Sequence, residues 1–226
     1  MQPFLIFGLT ASLGAMGELA GHERRGALLW PGRSAVIGLM GAALGIRRDG
    51  DFAGLEALEI TLGIHDSGAA LRDYHTIETV PSAAARSPNS RPEALRSARG
   101  RTNTSITLRD YRTGPMFGVA VAGAGLEPLA AALNAPVFTL YLGRKSCPLA
   151  APPGAHVVQA KDAEAALAGI ILPPWRAGAR LHSLIVEDEG GEIVHDRAID
   201  RTRWHFAPRR VTARPVMGAA AQEETP

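Results

Sequence analysis

The stretch Pro3-Phe4-Leu5-Ile6-Phe7-Gly8-Leu9 constrains this chain most, because nothing in it is polar. Successive side chains of a strand point to opposite faces. A run without alternation therefore has no face suited to water, and it predicts a central strand buried on both sides. The 226 residues are enough to enclose such a strand, as one large domain or two small ones. With 46% hydrophobic and 20% charged residues, the chain has the composition of an ordinary globular protein.

The segment after the first strand, Thr10 to Gly32, reads as a mixed loop punctuated by Pro31 and Gly32. Ser34 then begins a helix, its hydroxyl placed to accept from the unpaired N–H groups of the first turn. That helix runs through Val36, Ile37, Leu39, Met40, Ala43 and Leu44, and Gly45 or the cluster Arg47-Arg48-Asp49-Gly50 ends it. Its small residues Gly38, Gly41, Ala42 and Gly45 would let the helix backbone approach a sheet closely.

Further elements follow: a short helix over Leu55 to Leu58, strands over Ile60 to His65, Ala70 to Thr76 and Met116 to Ala122, and helices over Leu126 to Leu133 and Ala163 to Ala168, the last capped by Asp162. Leu181 to Glu187 and Glu192 to His195 predict a hairpin turning at Gly190-Gly191. No internal repeat is evident. The order of strands and helices predicts an α+β fold with an antiparallel sheet.

Thr79 to Asn103 differs in character, with three prolines and little apolar content beyond alanines and Leu95. From Thr79 to Arg109 six arginines (Arg86, Arg91, Arg96, Arg99, Arg101 and Arg109) stand against one acid, Glu93. Such a segment buries too little apolar surface to order itself, and a long insertion of this kind is functional or disordered. A second basic stretch, Arg197 to Arg214, leads to a tail expected to be disordered over 216–226.

The net charge of +2 does not announce a nucleic-acid partner, but 22 of the 24 cationic residues are arginine. Arginine grips phosphate bidentately and stacks on bases; a GC-rich coding sequence gives the same bias. The single cysteine, Cys147, excludes an intramolecular disulfide and a multi-cysteine metal site, and fits a reducing cytoplasm. Met1 to Leu9 lacks a basic leader and a cleavage-site pattern. The longest apolar stretch, Ala35 to Ile46, is too short to span a bilayer. The expected location is cytoplasmic, away from any membrane.

Three segments carry candidate chemistry, each with a plain alternative. In Tyr141-Leu142-Gly143-Arg144-Lys145-Ser146-Cys147-Pro148, Gly143 permits a tight turn while Arg144, Lys145 and Ser146 offer donors to a phosphate; the alternative is a solvated turn. At Trp30-Pro31-Gly32-Arg33-Ser34, Arg33 sits beside a helix start that attracts anions, or Ser34 merely caps that helix. In Leu71-Arg72-Asp73-Tyr74-His75-Thr76, the strand period puts Arg72, Tyr74 and Thr76 on one face and Asp73 and His75 on the other. Tyr74 and His75 could stack on unpaired bases, or be a half-buried aromatic and a satisfied histidine. The seven histidines are scattered without metal-ligand spacing. Metal-independent RNA cleavage needs only a base and a cation near the phosphate. His22, Tyr74, His75 and Lys145 could be brought into that role, but their spacing does not demand it.

Taken together, Pro31 to Ile46, Leu71 to Thr76 and Tyr141 to Leu149 resemble, in order and spacing, three motifs of the CasD family, whose members are subunits of the type I-E CRISPR surveillance complex Cascade within the RAMP superfamily. The resemblance extends to about Val211. It implies a single ferredoxin-like (RRM-related) domain over 1–215, an antiparallel sheet with helices on one face and a protruding arginine-rich thumb at about 77–108. It also implies a non-catalytic role without cofactor or metal, in which the chain binds and caps the 5′ handle of the crRNA. Its neighbours would be the Cascade backbone subunit and the large PAM-reading subunit, with target DNA met only indirectly. Carried over by motif, Arg33, Ser34, Tyr74, His75, Gly143, Arg144, Lys145 and Ser146 become RNA-contacting candidates. Arg99, Arg101 and Arg109 join them from the arginine-rich arm. One departure stands out: where relatives often read Gln-Ala-Trp-Gly, this chain has Gly14-Ala15-Met16-Gly17, and methionine cannot stack as tryptophan does. The rival within the superfamily is a metal-independent pre-crRNA endoribonuclease.

Overall fold

A computed structural model describes residues 1–20, 24–201, 203 and 205–216. His22 and most of the tail expected to be disordered, 217–226, lie outside the described residues. In chain order the elements are β1 (Gln2–Thr10), β2 (Leu13–Gly14), β3 (Gly17–Ala20), β4 (Arg24–Ala27), α1 (Arg33–Ala43), α2 (Ala53–Glu56), β5 (Glu59–Asp66), β6 (Ala69–Thr79), α3 (Arg91–Ala98), β7 (Asn103–Thr113), β8 (Met116–Ala122), α4 (Leu126–Asn134), β9 (His156–Ala160), α5 (Ala163–Leu167), β10 (Ser183–Asp200) and β11 (His205–Pro215).

The fold is α+β. Six strands form an antiparallel sheet in the order β11-β10-β5-β8-β1-β9. β1 and β8 are buried on both faces, which is why their sequences carry no polar alternation. β1 lies one strand in from the β9 edge rather than at the centre. Leu5, Phe7 and Leu9 of β1 pack with Val36, Ile37 and Met40 of α1 and Leu129 and Leu133 of α4. Phe4 and Ile6 point the other way, onto Ala166 and Leu167 of α5 and Leu184 of β10. The expectation of helices on one face is thus corrected: a strand apolar on both sides needs cover on both, and α5 supplies the second. Each fully buried Leu, Ile or Phe in these layers contributes about 1.5–3 kcal/mol.

A second sheet has the order β2-β7-β4-β3, with β6 on the other side of β7. Its β4–β7 pair is parallel, unlike the rest. The reading of Thr10 to Gly32 as a loop is corrected here, since β2, β3 and β4 arise within it; they are only two to four residues long and lack a periodic signal.

Two other expectations change. Gly190-Gly191 is not a hairpin turn. Glu187 and Glu192 both face Val211, so the residues between them bulge out and β10 resumes in the same direction. β11 provides one continuous partner along both halves, which keeps them collinear, and the chain reverses only after Asp200. The glycines of α1 do not serve contact with a sheet: a Cβ on Gly41 would stand 2.4 Å from the Phe52 ring, so that glycine makes room for Phe52.

Candidate nucleic-acid interface

The cap of α1 is a long-range contact. Its N-cap is Gly32, in extended conformation, and Ser34 makes no capping bond. Instead the Arg33 backbone N–H donates to Asp196 Oδ2 at 2.7 Å. Asp196 is 3% exposed on β10, and it also accepts from Arg209 Nε at 2.6 Å and Nη2 at 2.9 Å. The Arg33 side chain is occupied too, with Nη2 donating to the carbonyls of Glu56 (2.8 Å) and Leu58 (2.9 Å). Burial lowers its pKa, against which the neighbouring Glu56 and Glu187 carboxylates raise it. No hydrogen bond, ion pair or ring contact among the described residues joins Arg33 or Ser34 to the glycine turn below.

That turn is built from its own backbone and seated on Ala15. Leu142 N–H donates to the Cys147 carbonyl, Cys147 N–H to that of Arg144, and Ala15 N–H to that of Leu142 at 3.0 Å. Leu142 and Cys147 are buried and anchor the turn, while Gly143, Lys145 and Ser146 face solvent. Gly143 has φ +83°, and a Cβ there would stand 1.9 Å from the Ala15 carbonyl oxygen. The glycine is required twice over, by conformation and by closeness. Met16, in the stretch that departs from the family motif, is a buried core residue.

Arg144 leaves the turn and crosses to β7. Its Nη1 donates to the Tyr111 hydroxyl at 2.5 Å, and its guanidinium lies 4.9 Å from the Tyr111 ring centroid. Such stacking contributes about 0.5–1 kcal/mol at an exposed site and more where water is excluded. Tyr111 was not among the sequence candidates, although a signal existed. Leu71-Arg72-Asp73-Tyr74-His75-Thr76 and Leu108-Arg109-Asp110-Tyr111-Arg112-Thr113 are two copies of one pattern, Leu-Arg-Asp-Tyr-X-Thr. The chain thus carries a short internal repeat of six residues, which corrects the expectation of none. The copies pair antiparallel as β6 and β7, setting Arg72 opposite Asp110 and Asp73 opposite Arg109.

The strand alternation makes the two faces of this β6–β7 ribbon chemically different. On one face Asp110 accepts from Arg72 Nε at 2.7 Å and from Arg24 Nη2 at 2.7 Å, so both of these arginines are paired. Tyr74, across from Leu108, is left 71% exposed there. On the opposite face stand His75, Arg109 and Tyr111, with Arg25 of β4 beside Arg109. Asp73 faces Arg109 without an ion pair, and Arg109 Nε is buried without a hydrogen-bond partner. Arg25 and Arg109 thus stand on this face, and Arg144 reaches it through Tyr111. Tyr74 and His75 are split between the faces, and His75 lies about 13 Å along the ribbon from the level of Tyr111. Of the groups named for metal-independent cleavage, Tyr74 and His75 thus do not share a face, and His22 lies outside the described residues.

The arginine-rich insertion is ordered in part, which corrects the expectation that it could not order itself. Ser90 caps α3 by accepting from Glu93 N–H, and Glu93 Oε2 accepts from Asn89 N–H at 3.0 Å, a reciprocal arrangement that stabilises the first turn. Arg99 ends the helix in left-handed conformation and is exposed; Arg101 is exposed with Nε near the Ala98 carbonyl. The arginines of the second basic stretch are mostly tied to acids: Arg209 to Asp196, Arg201 to Glu56, Arg203 to Asp200 and Arg214 to Glu164. Among the described residues no group of three or more His, Cys, Asp or Glu could hold a metal, and no helix is long and apolar enough to cross a membrane.

The model of the family described as CRISPR-associated protein (Cas_Cas5) matches residues 4–212. This chain belongs to the Cas5 family. A relative in Escherichia coli (strain K12), the CRISPR system Cascade subunit CasD, is 34% identical to this Cas5 chain over 226 residues, covering 92% of the chain and 88% of the relative. A chain of a solved CRISPR RNA-guided surveillance complex superposes with TM-score 0.67 at 23% identity, covering 94% of this chain and 90% of its own. A crystal structure of a Cas protein superposes with TM-score 0.63 at 26% identity and 94% coverage of both chains. The fold is therefore shared along nearly the whole chain.

The ion cluster of the ribbon makes a pH prediction for this Cas5 chain. Hydrogen bonds from Arg72 and Arg24 hold the Asp110 carboxyl at about 2, below the ordinary 3.8. A depressed carboxyl contributes stability that is complete above the ordinary value and is lost as pH falls through the folded one. The urea midpoint of the wild type should therefore include an increment that fades between about pH 4 and pH 2. In Asp110→Asn that increment is absent at every pH, and the two profiles converge near pH 2. Parallel profiles would refute the assignment.

Proposed function

We propose that this chain is a non-catalytic subunit of a type I-E Cascade that binds and caps the 5′ handle of the crRNA. In this reading the six-stranded sheet is the ferredoxin-like, RRM-related body, and the β6–β7 ribbon with α3 is the thumb. The backbone subunit and the large PAM-reading subunit are its neighbours, and target DNA is reached only through them. The observation that carries the reading is the bridge from Arg144 to Tyr111. It joins the Gly143 turn, where Lys145 and Ser146 are exposed, to the face of the ribbon that carries Arg109 and Arg25, with His75 about 13 Å further along it.

Such a surface suits single-stranded RNA, whose phosphates take arginine and lysine and whose unpaired bases stack on aromatic or guanidinium planes. Arg99 and Arg101, exposed at the far end of the ribbon, extend the same surface. Tyr74 lies on the other face and Arg33 holds α2 to α1. We assign the first contacts to Gly143, Arg144, Lys145, Ser146, Arg109, Arg25 and His75, with Arg33 and Ser34 shaping the body behind them.

The test is RNA affinity. Arg144→Ala/Lys145→Ala should weaken binding of a handle-bearing RNA roughly tenfold or more, and should flatten the salt dependence by about 1.4 in slope for two lost phosphate contacts on a single strand. The RNA should be recovered intact in the presence of EDTA. Unchanged affinity would favour a connector that binds protein alone, and site-specific cleavage would favour an endoribonuclease.

A further inference from the structure

β6 is an edge strand. β7 pairs with it on one side, and among the described residues no strand pairs with the other. It is eleven residues long, its register with β7 runs from Ala69 to Thr79 without a shift, and it is exposed along almost its whole length. Folded proteins normally blunt an edge of this kind with proline, lysine, a bulge, a short strand or a covering loop. β6 contains no Pro or Lys and no bulge, and its charged side chains are Arg72, Asp73 and Glu78. Its one arginine, Arg72, is drawn back across the ribbon to Asp110. The stretch Tyr74-His75-Thr76-Ile77 is rich in residues that favour strands.

We infer that the outer edge of β6 accepts an extended segment of a partner polypeptide, which adds to the sheet as a further strand. The backbone chemistry selects this class of occupant. Alternate residues of an antiparallel edge turn both N–H and C=O outward, so donor–acceptor pairs repeat every two residues, about 6.8 Å apart. An extended polypeptide matches that repeat group for group, whereas an RNA backbone presents anionic phosphate acceptors and a lone 2′-hydroxyl donor per nucleotide rather than paired N–H and C=O groups. The side chains add specificity. On the face that holds the Asp110 ion pairs Tyr74 is 71% and Ile106 is 59% exposed, one register step apart. An incoming strand with an apolar side chain at that level would cover Tyr74, the neighbour it meets directly. The opposite face, holding the unpaired arginines, stays available to RNA, so one ribbon can engage a protein along its edge and a nucleic acid on its face. For the identity of the partner this inference rests on the reading above: a neighbouring Cascade subunit supplies the strand.

Hydrogen exchange tests it on the isolated chain, on the chain with handle-bearing RNA, and on the assembled ribonucleoprotein. About half of the amides of residues 69–79, those facing outward, should exchange at least tenfold more slowly in the assembly only. Protection that grows with concentration in the isolated chain would mean a second copy fills the edge, and would overturn the inference. Protection produced by RNA alone would overturn it as well, as would an assembled particle with no protection. Failure of the chain to enter the assembly, seen in its subunit content, sinks the Cascade reading and this inference together. Unchanged RNA affinity in Arg144→Ala/Lys145→Ala sinks only the RNA part of that reading. Thr76→Pro and Ile77→Pro give an independent check. The strand alternates, so one of the two removes an outward N–H and leaves the β6–β7 ladder whole. The variant that folds normally should enter the assembly at least tenfold less well, and equal incorporation would count against the edge.

Discussion

Asp196→Ala should destabilise this protein by about 3–5 kcal/mol, the usual cost of stranding one half of a buried ion pair. Asp196 is 3% exposed and serves three donors, two on the Arg209 guanidinium and one at the start of α1. Its loss leaves Arg209, whose side chain is 13% exposed, with only a 3.4 Å contact to the solvated carboxylate of Glu187. It also uncovers the first N–H of the helix that carries much of the core. For a chain of this size the loss corresponds to a Tm lowered by roughly 6–20 °C. The double variant Asp196→Ala/Arg209→Met should recover much of the deficit, because no charge is then left buried and unpaired, while the uncapped Arg33 N–H keeps the remainder. If the single variant melts within a degree or two of wild type, Asp196 does not hold α1 to β10.

Gly143→Ala should cost stability and RNA binding together. A left-handed backbone disfavours any residue with a Cβ by about 1–2 kcal/mol, and here the added carbon would lie 1.9 Å from the Ala15 carbonyl oxygen. The turn must therefore lift from Ala15, giving up the hydrogen bond from Ala15 N–H to Leu142 at a further cost of about 1 kcal/mol. Urea titration should show a loss of about 2–4 kcal/mol. Lifting the turn also carries Arg144 away from Tyr111, so RNA affinity should fall about tenfold or more in molecules that remain folded. Ala15→Gly should not rescue the variant, because the collision is with a backbone atom. Rescue by that change would mean the side chain of Ala15, not the seating of the turn, sets the requirement.

Much of the body was open to reading. β1 and β8 announce themselves as runs without polar alternation, α4 and the Asp162 cap of α5 follow local rules, and the Gly143 turn carries its donors within four consecutive residues. The ribbon was readable only in part. Its arginines suggested a segment without order, yet Ser90 and Glu93 spell a helix start and the doubled Leu-Arg-Asp-Tyr-X-Thr pattern spells two matching strands. Both signals lie in short stretches that composition averages away.

What the sequence by itself determined is local: where strands and helices run, that a glycine turn presents cations, and that Tyr74 and His75 point to opposite sides of one strand. The tertiary structure alone decided which groups meet across the chain. Asp196 caps a helix 163 residues earlier, Asp110 pairs two arginines on one face of the ribbon, Tyr111 receives Arg144, and β10 runs straight past Gly190-Gly191 because β11 lies along both halves. The reason is physical. A period of two or 3.6 residues is imposed by neighbouring bonds and is written in the order of residues, whereas the partner of a buried charge or a free strand edge is fixed by the packing of the whole core.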